Sequence, residues 1–137
     1  MDLSVTPQQA GFVASVRSSL QEAGEAPDAR AWYRALYADD VPVGFVMLSD
    51  NIRPGNPELL GPYYLWRLLI DKEHQRKGYG TRALDLCVAY VRTRPNAEAL
   101  LTSVVQSPGS PLPFYLKYGF VSTGAIVDDE LVLRLPL

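Results

Sequence analysis

Residues Leu65 to Thr81, reading LWRLLIDKEHQRKGYGT, restrict the possible folds of this chain more than any other stretch. Leu65, Leu68, Leu69 and Ile70 make an apolar run of strand character that stops at Asp71. A short charged turn leads to Gln75-Arg76-Lys77-Gly78-Tyr79-Gly80. A helical pattern then runs from Thr81 to Arg92, with Ala83, Leu84, Cys87, Val88 and Val91 inward. Leu100 to Val105 is the next strand. Strand, helix and strand in this order predict a right-handed βαβ crossover with two parallel strands in one sheet. The loop before the helix would aim backbone N–H groups and the positive end of the helix dipole at one spot, which suits a pyrophosphate. Gly78 and Gly80 are expected to let the backbone approach a ligand and take positive φ, while Arg76 and Lys77 add cations.

The flanking sequence adds further elements. Thr6 reads as an N-cap with Pro7 in the first turn, and Phe12, Val13, Val16 and Leu20 give a helix an apolar stripe that ends at Gly24. Ala31 to Tyr37 and Val43 to Leu48 form a hairpin across Asp39-Asp40. Asp50 to Pro62, rich in proline, is a loop, and Tyr63 to Ile70 is the central strand. Ser107 to Gly109 breaks the Leu100 strand. Ser110 then caps a short helix that has Pro111 at its first position. Phe120 to Ala125 and Glu130 to Leu135 pair across Asp128-Asp129. The whole reads as one domain, residues 1–137, of mixed α/β class: a central, mostly antiparallel sheet flanked by helices.

At 137 residues and 47% hydrophobic content the chain can fill a single core. A net charge of −2 gives no sign of nucleic acid as a partner, and no apolar run reaches membrane-spanning length. The N-terminus has no signal-peptide pattern, so a cytoplasmic location is expected. Cys87, the single cysteine, excludes an internal disulfide and reads as a buried structural thiol.

Two motifs in sequence order carry a family resemblance. Gln75-x-x-Gly78-x-Gly80, after a strand ending in Ile70-Asp71, resembles the coenzyme A loop of the GCN5-related N-acetyltransferases (GNAT). Pro113-Phe114-Tyr115-Leu116-Lys117-Tyr118-Gly119-Phe120 is similar to that family's aromatic-Tyr-x-x-x-Gly-Phe signature. The resemblance covers roughly Trp32 to Leu137. It implies that the two parallel strands splay and the pantetheine arm of acetyl-CoA lies in the gap. It also implies that Leu69, Ile70, Asp71, Gln75, Arg76, Lys77, Gly78, Tyr79, Gly80 and Thr81 hold that co-substrate, the backbone of Leu69 and Ile70 bonding to the pantetheine and acetyl carbonyl. Tyr115 is the implied acid for the departing thiolate. No metal is implied. The family's segment after the second parallel strand often carries an asparagine; here Gln106, Ser107 and Ser110 occupy it, and none is assigned that role. The family also opens with a strand and a helix ahead of the Thr6–Gly24 region, and Met1 to Val5 is too short for both. A trimmed N-terminus (residues 1–30 are atypical), a late start, or a homodimer partner completing the sheet edge would each account for that.

The acceptor is expected to be a small primary amine of the polyamine or diamine kind. An alkylammonium titrates near pH 10, so it must lose a proton before attack. Tyr64, Trp66 and Leu68 are expected to share one face of the central strand, Arg67 facing the other way, and none of the three is a base. Deprotonation is assigned to ordered water, with Glu58, Asp71 or Glu73 as possible helpers and His74 as a solvated turn residue. Two other readings stand beside this one: a non-catalytic acyl-CoA-binding module of the same fold, and a nucleotide-binding protein. The absence of a full G-x-G-x-x-G weighs against the second.

Overall fold

The computed structural model describes residues 7–53, 60–71, 74–75 and 77–137, and for residues 7–15 the helical backbone alone. Helix α1 (Pro7–Glu25) leads through a short 3-10 turn at Pro27–Ala29 into strands β1 (Ala31–Ala38) and β2 (Val41–Ser49). Strand β3 (Tyr64–Ile70), helix α2 (Tyr79–Arg92) and strand β4 (Ala99–Val105) follow, then α3 (Leu112–Tyr118), β5 (Val121–Val127) and β6 (Glu130–Pro136). The six strands form one sheet in the order β1-β2-β3-β4-β6-β5, antiparallel except for β3 beside β4. This is the mixed sheet expected from the sequence. Helix α1 opens the described chain, so the strand and helix that the family sets ahead of it have no counterpart among the described residues. The predicted Thr6 cap lies outside them.

Both Asp-Asp turns form as read. Asp39 and Asp40 have φ of 49° and 67°, and Asp128 and Asp129 have 50° and 64°. Two consecutive left-handed residues give the turn whose twist matches a tight hairpin, and aspartate tolerates that region better than most side chains.

One face of the sheet is covered by α2 and α3. Leu84, Cys87, Val88 and Val91 of α2 and Tyr115 of α3 pack with Val46, Leu48, Leu65, Leu100 and Val104 from the strands. Cys87 is buried, and desolvation pushes its thiol up to about 12. Tyr118 packs against the same core and donates its hydroxyl to Asp85 at 2.6 Å. Trp32 stacks on Tyr90 at 4.2 Å, tying edge strand β1 to α2. The other face meets α1, where Arg67 reaches Glu22 at 2.5 Å. The α1 stripe is rotated from expectation near its end: Ser19 is buried and Leu20 exposed.

The central strand departs from simple alternation. Leu48 pairs with Leu65 and Met47 with Arg67, so Trp66 is an extra residue with no partner on β2. A bulge of this kind flips the side-chain alternation beyond it. Leu65 and Leu68 therefore both face α2 and the core, while Tyr64 and Arg67 both face α1. The expected shared face of Tyr64, Trp66 and Leu68 is corrected accordingly: Leu68 lies opposite the other two.

Candidate functional site

The parallel pair parts almost as soon as it forms. Tyr64 opposite Leu101 is its one register pair, closed by the Leu101 N–H donating to the Tyr63 carbonyl at 3.0 Å. At the next step the Thr102 hydroxyl, rather than a backbone N–H, donates to the Leu65 carbonyl at 3.1 Å. The bulge at Trp66 follows directly along β3. Beyond it the β3 edge facing β4 has no strand partner among the described residues. The Asp71 N–H donates to the Val43 carbonyl at 2.8 Å, so by the two-residue period of a strand Leu69 also turns its backbone to β2. Leu68 and Ile70 turn theirs to the gap. Of the two expected strand donors, Ile70 faces the gap and Leu69 does not, while Leu68 faces it as well.

A cleft of about 650 Å³ opens at the end of this gap. Leu68 and Ile70, the loop residues His74, Gln75 and Gly78, the first helical residues Tyr79, Gly80 and Thr81, and Pro111, Phe114 and Tyr115 line it. Its size is typical of small-molecule sites. Gly78 is the N-cap of α2 with φ of 79°, and no side chain among the described residues caps the helix. The first intrahelical bond of α2 is donated by the Arg82 N–H to the Gly78 carbonyl. The N–H groups of Tyr79, Gly80 and Thr81 thus lack partners within the helix and point out of its positive end. Gly80 is helical rather than positive in φ. Its requirement is space, since a Cβ there would sit 3.1 Å from the Phe114 ring. Gln75 folds its amide onto the Ile70 carbonyl at 3.1 Å, bracing the loop against the strand end.

The remaining loop residues divide. Lys77 is exposed and does not line the cleft, and Arg76, like Glu58 and Glu73, lies outside the described residues. Asp71 does not line the cleft. It is buried, one carboxylate oxygen has no hydrogen-bond partner among the described residues, and its backbone holds the turn by accepting the His74 N–H at 2.8 Å. His74, read as a solvated turn residue, is half-buried and lines the cleft with its ring 6.4 Å from that of Tyr79. Only its place within the loop could have signalled that.

Tyr115 enters from α3. Pro111 precedes the helix and the Ser110 hydroxyl accepts the Leu112 N–H at 3.2 Å, so the start falls one residue later than the expected Pro111. Gly119, with φ of 130°, ends the helix and lets Phe120 turn back into the core. The Tyr115 ring is fixed edge-on by Phe114 and Phe120 at 5.2 and 5.3 Å. Burial pushes its phenol up to about 12, although a hydrogen bond with Thr102 works the other way. The phenol is thus fully protonated at any ordinary pH, at the point where β3 and β4 part. Among the described residues no cluster of His, Cys, Asp and Glu could hold a metal ion. No described helix is long and apolar enough to cross a membrane.

Residues 4–120 match the model of the acetyltransferase (GNAT) family. A probable spermine N(1)-acetyltransferase of Bacillus subtilis subsp. natto is 24% identical over 128 residues, covering 92% of this chain and 82% of that protein. Among solved structures, the PaiA N-acetyltransferase of Thermoplasma acidophilum in complex with coenzyme A superimposes with a TM-score of 0.61. It is 16% identical, over 98% of this chain and 81% of the other. A GNAT family acetyltransferase from Elizabethkingia anophelis with acetyl-CoA bound gives 0.66 at 14% identity, over 100% and 94%.

Proposed function

This chain belongs to the GNAT acetyltransferase family, and from that premise we propose that it moves the acetyl group of acetyl-CoA to a primary amine of a small polyamine- or diamine-like molecule, working as a homodimer. The observation that carries the reading is the start of α2, which no described side chain caps, facing one cleft with the gap-side edge of β3 and with Tyr115. The N–H groups of Tyr79, Gly80 and Thr81 suit a pyrophosphate, with the exposed Lys77 just before Gly78 in the same loop, and the space that Gly80 leaves beside Phe114 is one a Cβ would fill. Leu68 and Ile70 offer strand N–H groups to the pantetheine and to the thioester carbonyl, where negative charge builds as the amine attacks. Tyr115 supplies the proton that the departing sulfur needs. The 24% identical spermine acetyltransferase supports a polyamine-like acceptor, and the outer side of β1, which pairs with no strand among the described residues, supports the dimer.

Tyr115→Phe tests the reading. It keeps the ring between Phe114 and Phe120 and removes only the hydroxyl. Amine-dependent release of free thiol from acetyl-CoA should fall roughly 10²- to 10⁴-fold, with coenzyme A affinity unchanged. Because the phenol holds its proton up to about 12, the parent should show no alkaline loss from this group below that pH. A parent that binds acetyl-CoA but releases thiol with no amine in a broad panel would remove the acetyltransferase reading. Equal activity of the two proteins would return Tyr115 to a packing role.

A further inference from the structure

The sheet face opposite the cofactor cleft holds a second cavity, of about 290 Å³, in front of the same parting of β3 and β4. Tyr64 and Trp66 line it, together with Ser103 and the hairpin carboxylates Asp128 and Glu130. No lysine or arginine is among its described lining residues. Arg67, the nearest cation on β3, is taken up by Glu22 of α1. A chain of hydroxyls runs through the wall. Glu130 Oε1 lies 3.4 Å from the Ser103 hydroxyl and can accept its single hydrogen. Either oxygen could donate in the 2.5 Å contact between the Tyr64 and Ser103 hydroxyls, and when Ser103 donates to Glu130 the donor in that contact is Tyr64. That direction leaves the Tyr64 oxygen free to accept a hydrogen from the cavity.

Resting on the acetyl-transfer reading, we propose that this cavity seats the acceptor as a cationic alkylamine and that Tyr64, Ser103 and Glu130 carry away its ammonium proton. One N–H bond of the ammonium breaks as its proton passes to Tyr64 Oη. The Tyr64 proton passes to Ser103 Oγ, and the Ser103 proton to Glu130 Oε1. A neutral amine and a carboxylic acid result, and no oxidant or reductant takes part. The nitrogen lone pair then forms the C–N bond while the C–S bond breaks. The second nitrogen proton ends on sulfur by way of Tyr115. The bulge at Trp66 is what makes this possible, because it puts Tyr64 and Trp66 on the face away from the cofactor. Aromatic and carboxylate walls together are a usual setting for an alkylammonium.

The charged groups bearing on Tyr64 are Glu130 and Asp128 from the hairpin and Arg67 from its own strand. Its phenol is raised first by burial and further by the two carboxylates, with Arg67 acting against them.

Two measurements test the proposal. Titration with 1,4-diaminobutane should change the fluorescence of Trp66, identified by its loss in Trp66→Phe; the only other tryptophan, Trp32, is stacked on Tyr90. In the Asp128→Asn/Glu130→Gln double variant the apparent affinity should weaken roughly tenfold or more. In the second measurement, Ser103→Ala should slow acetylation of the diamine about 10²-fold at neutral pH and approach the parent as pH nears 10, where the free amine needs no base. An aromatic amine, already neutral, should show no such loss, and Ser103→Thr should restore the rate. Thermal melts of each variant separate a folding defect from this pattern. Normal thiol release with an unchanged pH profile in Ser103→Ala and Glu130→Gln overturns the proposal alone. An unaltered diamine affinity in the double variant does the same. If the parent releases no thiol with any amine, the acetyl-transfer reading fails first and the proton path falls with it.

Discussion

Gly78 and Gly80 stand two positions apart at the start of α2 and are needed for different reasons. At Gly78 the backbone is left-handed and a Cβ would meet nothing within 4 Å, so an alanine there costs only local strain, about 1–2 kcal/mol. At Gly80 the backbone is ordinary, but a Cβ would press on Phe114 at 3.1 Å and project into the cleft. Gly80→Val should therefore lower coenzyme A affinity by roughly 10²-fold or more with a melting transition close to the parent's, whereas Gly78→Ala should mainly lower the melting temperature. Isothermal titration with coenzyme A separates the two; near-parental affinity in Gly80→Val would show that the phosphates lie elsewhere. At this scale the sequence was informative where a residue's role depends on near neighbours. Tyr115 stood out among eight tyrosines by its spacing to Gly119-Phe120, and both glycines by their distance from Gln75. The buried, half-unpartnered Asp71 and the cleft-lining His74 were not legible, because each depends on packing from β2, α2 and α3.

Between elements, β2 sets how β3 presents its backbone. Gly44 lies opposite Ile70, and a Cβ at Gly44 would fall 2.6 Å from the Leu69 carbonyl oxygen, a backbone atom that cannot swing aside. Gly44→Ala should push the end of β3 outward, destabilising the fold by about 1–3 kcal/mol. Because the Leu68 and Ile70 N–H groups move with it, acetyl-CoA should also bind more weakly; a lower melting temperature with unchanged affinity would mean that β3 relaxes without moving its gap-facing edge. Strand positions and both Asp-Asp turns could be read from local periodicity and turn chemistry. The bulge at Trp66 could not, since an extra residue is defined only by its partners Met47 and Leu48. The same limit hid the Tyr64–Ser103–Glu130 chain, whose links span 39 and 27 residues.

For the molecule as a whole, buried acids make stability depend on high pH. Folding raises Tyr115 from 10.0, and Cys87 from 9.0, to about 12 in each case, so between roughly pH 9 and 12 the unfolded chain has lost protons that the folded one keeps. Stability is therefore full below about pH 9 and falls as pH rises through that window, by up to about 1.4 kcal/mol per unit for each group. Urea midpoints that hold level from pH 8 to 11 would contradict this. The last consequence concerns the sheet edge. Among the described residues strand β1 pairs with β2 on one side only, and it carries Tyr33, Tyr37 and, across the turn, Val41 at 45%, 65% and 47% exposure. A strand edge bearing exposed aromatics is a template for pairing, and proteins seldom leave one bare. The proposed homodimer would bury this edge against a second copy. Tyr37→Lys places a charge on it while touching neither cleft, so it should shift sedimentation from dimer toward monomer and leave acetyl-CoA affinity near the parental value. A parent that sediments as a monomer at every concentration tested would exclude the dimer, and β1 would then be an edge protected by some other means.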